Sequence, residues 1–379
     1  MEKVYKAFEQ RKQIDVIYTD YEKAFDHVDH GQLLDKLYLL GVTGRLLLLI
    51  ESYLTDRTEQ VKIGGFLSTS KKVTSGVPQG SILGSLLFVV YINDLPDCCE
   101  YCSPLLCADD SKFISLGTPK FHFQLDLSRV ANWSNKHKLP LNDKCMHLPF
   151  GSNDDSYFFN GVEIRKTNVQ KDLGLMISSD LKWDEHIKAA ANKALKVFFM
   201  IKRNSPFLPT QTKIKLHKSM ILPTLIYGSN CWSTNVANMK VLENVQKKVL
   251  RWITSCSDYE TNLKNCNLLP LSLYLQMQDL LFMSKILNGC YNCEINDYVR
   301  LRESPRELRA TGRIEFEHGK PKKKICEQSF FYRTGALVNR LPRDVEFERA
   351  DGLKTRLLHY FWDYFEKRYK HHITETWKA

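Results

Sequence analysis

No stretch of this chain is long and apolar enough to cross a bilayer. The longest apolar run, Ser81 to Ile92, falls short of the ~20 residues a spanning helix needs. Met1-Glu2-Lys3-Val4 places charge where a secretory leader needs an apolar core. No membrane partner is therefore expected. The eleven cysteines are odd in number and scattered, which argues against a disulfide framework and for a reducing intracellular compartment, nucleus or cytoplasm. Two Cys-x-x-Cys pairs, Cys99/Cys102 and Cys290/Cys293, lie too far apart in sequence for a usual structural zinc site, so zinc is not expected. No internal repeat is visible.

What is present is an ordinary globular balance, 43% apolar and 26% charged, over 379 residues, enough for two or three subdomains. The formal net charge is +11. An excess of that size points first to nucleic acid and second to an acidic surface, while simple solubility would also account for it.

Along the chain, the β-branched run Ile14 to Thr19 reads as a buried strand that delivers Asp20 at its C-terminal end. Asp29 is placed to cap a helix whose Leu33, Leu34, Leu37 and Leu40 share a face and which stops at Gly41. Thr43 caps a second helix through Leu54, and residues 60–73 suit a hairpin turning at Gly64-Gly65. Gly76 to Gly80 is loop chemistry leading into an apolar helix to about Tyr91. Two strand-like runs, Leu105 to Ala108 and Phe113 to Leu116, flank Asp109-Asp110. After a helix through Leu127, Val130 and Trp133 come a strand from Cys145 to Phe150 and an Asn160-Gly161 hairpin. From Asp184 the pattern is helical: through Phe198, then Thr210–Leu222, Ala237–Ile253, Leu271–Leu287 and about Leu353 to Tyr369. A polar, basic linker runs from Arg302 to Lys324.

Carboxylates at a strand end and at the turn of a neighbouring hairpin would repel one another unless a cation neutralised them. Two metal ions bridged by such groups would serve phosphoryl transfer. Taken alone, however, Asp109-Asp110 reads as a polar turn.

Longer stretches carry more. Asp20-Tyr21-Glu22-Lys23-Ala24-Phe25-Asp26-His27-Val28-Asp29-His30 resembles motif A of non-LTR retrotransposon reverse transcriptases. Gly76-Val77-Pro78-Gln79-Gly80-Ser81-Ile82-Leu83-Gly84 resembles motif B, and Tyr91-Ile92-Asn93-Asp94-Leu95-Pro96 the segment after it. Cys107-Ala108-Asp109-Asp110 matches motif C, and Leu141-Asn142-Asp143-Lys144 resembles motif D. Asp172-Leu173-Gly174-Leu175, with Leu181 to Ile187, is similar to motif E and the entry to the thumb. Residues 330–342 resemble the C-terminal segment of jockey-like and CR1-like elements. Order and intervals fit, and the resemblance covers nearly the whole chain.

The resemblance implies an α+β right-hand polymerase: a palm of antiparallel sheet with helices at 1–183, a helical thumb at 184–255 and a basic helical region at 256–379. It implies an RNA-directed DNA polymerase that moves deoxynucleotides from dNTPs onto a DNA primer along an RNA template. Asp20, Asp109 and Asp110 would hold two Mg²⁺ ions, with Mn²⁺ as a substitute. Phe25 would be the gate that excludes a 2′-hydroxyl, or a core aromatic. Gln79, in a loop made close-fitting by Gly76 and Gly80, would meet the incoming nucleotide, or cap. Lys144 would protonate pyrophosphate, or be a solvated lysine. Gly174 would let the primer backbone approach. Lysines between 188 and 203 would track duplex phosphates, or form a wet helix face. Two positions depart from the pattern: Cys107 stands for the usual Tyr or Phe, and Ser85 for the usual Pro. The family's fingers would lie upstream of Met1, so poor polymerisation or none is expected of this chain. A catalytically inactive nucleic-acid-binding relic and an unrelated metal-dependent phosphotransferase are the rival readings.

Overall fold

The structure, a computed structural model, describes all residues except 152–154, 233–235, 294, 296–297, 302–314, 318–320, 348 and 369–379. Most of the basic linker expected at 302–324 thus lies outside the described residues. The rest divides into two compact units, residues 12–170 and residues 1–11 with 171–379. The division falls thirteen residues before the 183/184 boundary drawn from the sequence.

The first unit is built on β1 (Ile14–Thr19), whose six residues are buried but for Tyr18. A strand covered on both faces must be almost wholly apolar, and this one is, save Asp15 and Thr19. After it come α2 (His30–Leu39), α3 (Gly44–Leu54) and a paired ladder of two-residue strands: β2 (Thr58–Glu59), β3 (Lys62–Ile63), β4 (Phe66–Leu67) and β5 (Lys71–Lys72). Then follow α4 (Ile82–Ile92), β6 (Ser103–Cys107), β7 (Asp110–Leu116), α5 (Lys120–Lys136) and β8 (Met146–Phe150). The hairpin β9 (Phe158–Phe159)/β10 (Val162–Glu163) and β11 (Arg165–Lys166) close the unit. The main sheet has the order β11-β8-β1-β7-β6. Its pairs are antiparallel except β11 with β8, which run parallel, so the expected antiparallel sheet carries one parallel edge. Phe88, Tyr91, Phe113, Phe123 and Leu127 pack into the core between sheet and helices.

The local chemistry accounts for most of these elements. Asp29 accepts the Gln32 amide at 3.0 Å and caps α2. Asn160 and Gly161 take φ of +49° and +81°, as a two-residue hairpin requires. Thr43 holds the N-cap position of α3 but makes no side-chain cap bond there. Ala108, expected in a strand, lies in the turn with φ +53°, while Asp110 opens β7. The short turn between β6 and β7 requires that bend.

The buried Asp15 of β1 would be costly without partners. It accepts from His147 Nε2 at 2.8 Å and from the Tyr157 hydroxyl at 3.2 Å. Lys36 likewise ties the Tyr91-Ile92-Asn93-Asp94 segment down, donating to the Tyr91 carbonyl at 2.5 Å and to Asp94 at 2.7 Å.

The second unit is mostly helical. It contains α1 (Glu2–Glu9), β13 (Leu175–Ser178), the end of its hairpin partner β12 (Val169–Asp172), within which the division falls, and α6 (Asp184–Asn204). Then come α7 (Thr210–Leu216), α8 (Leu222–Ile226), α9 (Val236–Thr254), α10 (Tyr259–Cys266) and α11 (Leu271–Leu287). The short pair β14 (Arg300–Leu301)/β15 (Phe316–Glu317), α12 (Phe330–Arg340) and α13 (Leu353–Arg368) complete it. The helix expected at 210–222 is split by a π-helical turn, His217–Ile221, that buries His217 completely. Helix α1 has no counterpart among the elements expected from sequence; its Val4, Tyr5 and Ala7 are buried, and Glu2 accepts the Phe330 amide at 2.8 Å. Arg333 of α12 meets Asp279 of α11 through two nitrogens, at 2.9 and 3.2 Å, and also donates to the carbonyls of Gln328, Ser229 and Asn230. The pair is buried, and those extra bonds are what make it tolerable.

Candidate catalytic site

The last ladder pair between β1 and β7 is Thr19 with Ser111. Asp20 directly follows Thr19 at the end of β1 and Asp110 directly precedes Ser111 at the start of β7, so the two flank that last pair, and Asp109 sits in the turn from β6. Thr19 and Ser111 are buried and bond each other through their hydroxyls at 2.6 Å, so the strand alternation turns Asp20 and Asp110 to the other face. All three aspartates are exposed. Exposed carboxylates at the ends of adjacent strands are hard oxygen donors, the type that Mg²⁺ takes. The residues therefore fit a divalent cation in kind. Among the described residues, the one group of three ligating side chains gathered within 4.8 Å is a different one, Cys99, Cys102 and Asp126.

Two separate segments hold the chain around Asp20. On one side is the loop 140–145. The Asn142 amide donates to the Asp20 carbonyl at 2.8 Å, and the Glu22 amide donates to the Pro140 carbonyl at 3.0 Å. The Asp20 amide reaches Cys145 Sγ at 3.5 Å, and that thiol returns toward the Asp20 carbonyl at 3.8 Å. Burial pushes the Cys145 thiol up to about 11, so it keeps the proton it donates. Lys144 is exposed one residue before Cys145, in a turn closed by its own amide on Asn142 Oδ1 at 3.2 Å.

On the other side, residues 25–28 are zipped to residues 75–79. The Gly76 amide donates to the Val28 carbonyl at 2.8 Å and the Val77 amide to the Phe25 carbonyl at 2.9 Å. Ser75 donates to the Asp26 carbonyl at 2.9 Å, and Gln79 Nε2 to Asp26 Oδ1 at 2.9 Å. The Gly76 carbonyl accepts from Arg57 at 2.7 Å and from His30 Nε2 at 2.9 Å. A carbonyl cannot donate, so His30 carries its proton on Nε2 in this bond. A Cβ on Gly76 would stand 2.8 Å from the Asp26 backbone, and its φ is +86°. Gly80 differs: nothing lies within 4 Å of its Cβ position, and its φ of +82° is what it needs glycine for. The close fit expected of both glycines thus holds only for Gly76. Ser81 caps α4 by accepting the Gly84 amide at 2.9 Å, and Tyr53 donates to Ser81 at 2.8 Å.

Phe25 is half-buried and stacks on Phe88, ring centroids 4.4 Å apart at 23°. It is thus braced from behind by α4. Asp26, Arg57 and Cys145 position this site, and none stands out from sequence. The only available signal is their nearness to the motifs.

Gly174 belongs to the second unit, in the turn between β12 and β13, with φ +87°. Tyr227 lies 3.1 Å from its Cβ position and donates to the Leu173 carbonyl at 2.9 Å. Lys188, Lys193 and Lys196 are exposed on α6.

Known proteins are similar to parts of this sequence. Residues 2–164 match the family described as "Reverse transcriptase (RNA-dependent DNA polymerase)". The chain is 27% identical over 286 residues to the RNA-directed DNA polymerase from mobile element jockey of Drosophila melanogaster, covering 68% of this chain and 31% of that one. It is 25% identical over 280 residues to the probable RNA-directed DNA polymerase from transposon X-element of the same organism, covering 69% and 30%. The match thus spans about a third of these relatives' length. A distant structural likeness, at 12% identity and TM-score 0.41, is to a telomerase of Candida tropicalis solved with telomeric RNA, over 95% of this chain and 51% of that one. Among the described residues, no helix is long and apolar enough to cross a membrane.

Proposed function

Given that this chain carries a reverse transcriptase domain of the non-LTR retrotransposon kind, we propose that it serves RNA-directed DNA synthesis, adding deoxynucleotides from dNTPs to a DNA primer along an RNA template. The observation that supports this reading is the β1–β7 register, which ends at Thr19 and Ser111 so that Asp20 and Asp110 flank the last pair, with Asp109 in the adjoining turn. Asp20, Asp109 and Asp110 would hold the divalent ions, two Mg²⁺ or their Mn²⁺ substitutes. The chemistry so supplied is activation of the primer 3′-hydroxyl and neutralisation of the departing pyrophosphate.

The chain's own side chains do the positioning. Phe25, backed by Phe88, would be the gate that excludes a 2′-hydroxyl. Gln79, oriented by Asp26, and Gly80, whose backbone is open to solvent, face the incoming nucleotide and template. Lys144, held on the loop stitched to Asp20, gives a proton to pyrophosphate as it leaves. Gly174 brings the primer backbone close to the hairpin turn. Template pairing supplies the sequence choice, so contacts to backbone and shape suffice.

Primer extension on a homopolymer RNA template tests the reading. Asp109→Asn should abolish extension while leaving primer–template affinity and circular dichroism unchanged. Extension that survives Asp109→Asn would overturn the catalytic assignment.

A further inference from the structure

Away from the aspartates, the segment between α4 and β6 holds three cysteines that the polymerase reading does not use, Cys98, Cys99 and Cys102. It begins with a 3-10 turn, Leu95–Cys98, and bends through residues 100–102 before β6. Cys99 Sγ, Cys102 Sγ and a carboxylate oxygen of Asp126, on α5, lie within 4.8 Å of one another. Both cysteines are half-buried and reachable from solvent.

Asp126 is wholly buried and fully engaged. Its Oδ1 accepts the Glu100 amide at 3.1 Å and Arg129 at 3.1 Å; its Oδ2 accepts the amides of Tyr101 at 2.7 Å and Cys102 at 2.9 Å. A carboxylate has about four acceptor positions, and all are taken. A metal ion could claim this oxygen only by breaking the loop that surrounds it. Three successive amides aimed at one anion also force the backbone to fold back on itself. That curvature brings residues three apart to the Cα separation of a turn, under about 7 Å, which overlaps the disulfide range of about 4.4–6.8 Å.

We propose that Cys99 and Cys102 form an oxidisable dithiol, closed into a disulfide by exchange with a small disulfide of the glutathione class. The Cys102 thiol is held protonated, first by its hydrogen bond with Cys99, then by burial and the Asp126 charge. The first attack therefore falls to Cys99: its thiolate bonds one sulfur of the glutathione disulfide and expels the other half as a thiolate. Cys102 then gives its proton to water and attacks the Cys99 sulfur, releasing the second glutathione thiolate. Two protein thiols are oxidised, one small disulfide is reduced, and no other electron acceptor enters. Closure fixes the residues that lead directly into β6, the strand that ends beside Asp109. The proposal does not depend on the polymerase reading.

The test uses the full chain, reduced, equilibrated with graded ratios of reduced to oxidised glutathione, alkylated and mapped by mass spectrometry. The expected product is a peptide with Cys99 joined to Cys102 and two hydrogens lost. Cys102→Ser should accumulate glutathione on Cys99, and Cys99→Ser should be modified at Cys102 about tenfold more slowly or less. A linkage through Cys98, or glutathione persisting on Cys99 without closure, overturns the proposal. So does tight equimolar Zn²⁺ uptake abolished by both serine substitutions, which would make the cluster a metal site.

Discussion

Replacing Gly76 by alanine should loosen the clasp between residues 25–28 and 75–79, and Gly80 supplies the control. Both glycines have φ in the left-handed region, +86° and +82°. An alanine pays about 1–2 kcal/mol for that backbone at either position. Only at Gly76 does the new Cβ also meet fixed atoms, the Asp26 Cα and carbonyl oxygen at 2.8 Å. Backbone cannot swing away as a side-chain tip can, so overpacking adds about 1–3 kcal/mol. Separating the two loops would also strain the amide bonds from Gly76 to Val28 and from Val77 to Phe25, each contributing about 1 kcal/mol. Local opening reads this directly by amide hydrogen exchange at Val77, where about 1.4 kcal/mol is tenfold in rate. Gly80→Ala should accelerate that amide by about 5–30-fold, and Gly76→Ala by a further ten- to hundredfold or so. Equal acceleration by the two variants would refute the steric argument, because backbone strain alone would then explain both.

Burial pushes His217 down from 6.5 to about 4, so the unfolded chain takes up the proton first as acid is added. Its contribution to stability is complete above about pH 6.5 and drains away toward pH 4, about 3 kcal/mol in all. Urea midpoints at pH 7 and 4.5 should therefore fall further for the unaltered protein than for His217→Leu; parallel falls would show that His217 is not the group titrating. Phe25→Val should raise ribonucleotide incorporation relative to deoxynucleotide by about tenfold or more without changing metal dependence. Unchanged discrimination in competition assays would return Phe25 to a purely structural role beside Phe88. Reversing the charge of Lys188, Lys193 and Lys196 together should reduce the slope of log affinity against log salt by about 2–3. An unaltered slope would place the duplex phosphates elsewhere.

Much of the first unit is legible in the sequence because its signals are local. The apolar run at 14–19, the Asp29 cap and the Asn160-Gly161 turn each act within a few residues, and all three appear in the structure. The aspartates are legible as motif, and the ladder register brings Asp20 and Asp110 to the same end of neighbouring strands. Features that escape the sequence are set by distant partners. The Thr210–Leu222 pattern gives no hint of the π-turn that buries His217. Helix α1 is short and charged, and its apolar face is covered by residues more than three hundred positions away. Cys99 and Cys102 carry no role legible in the sequence, because Asp126 lies inside a helix pattern and nothing local shows that it holds their loop. Gly80 looks like Gly76, since a motif records that glycine is needed and not whether space or dihedral demands it.

The clasp at Gly76 and Val28 also bears on how freely the chain can change length. The backbone departs at Val28 and returns within one hydrogen bond at Gly76; between them α2 and α3 pack into the core, and only the stretch beyond Leu54 is an excursion. Its outermost part, β2 to β5, is fully exposed on two-residue strands. Lengthening a tethered loop is cheap, about 0.6 kcal/mol per doubling, provided the tether holds. The tip around Gly64-Gly65 is therefore a place where residues can be inserted, removed or replaced by a tag while Asp20 and Phe25 stay where they are. Variation in this segment would be a record of drift, whereas variation at Val28 or Gly76 would move the centre itself.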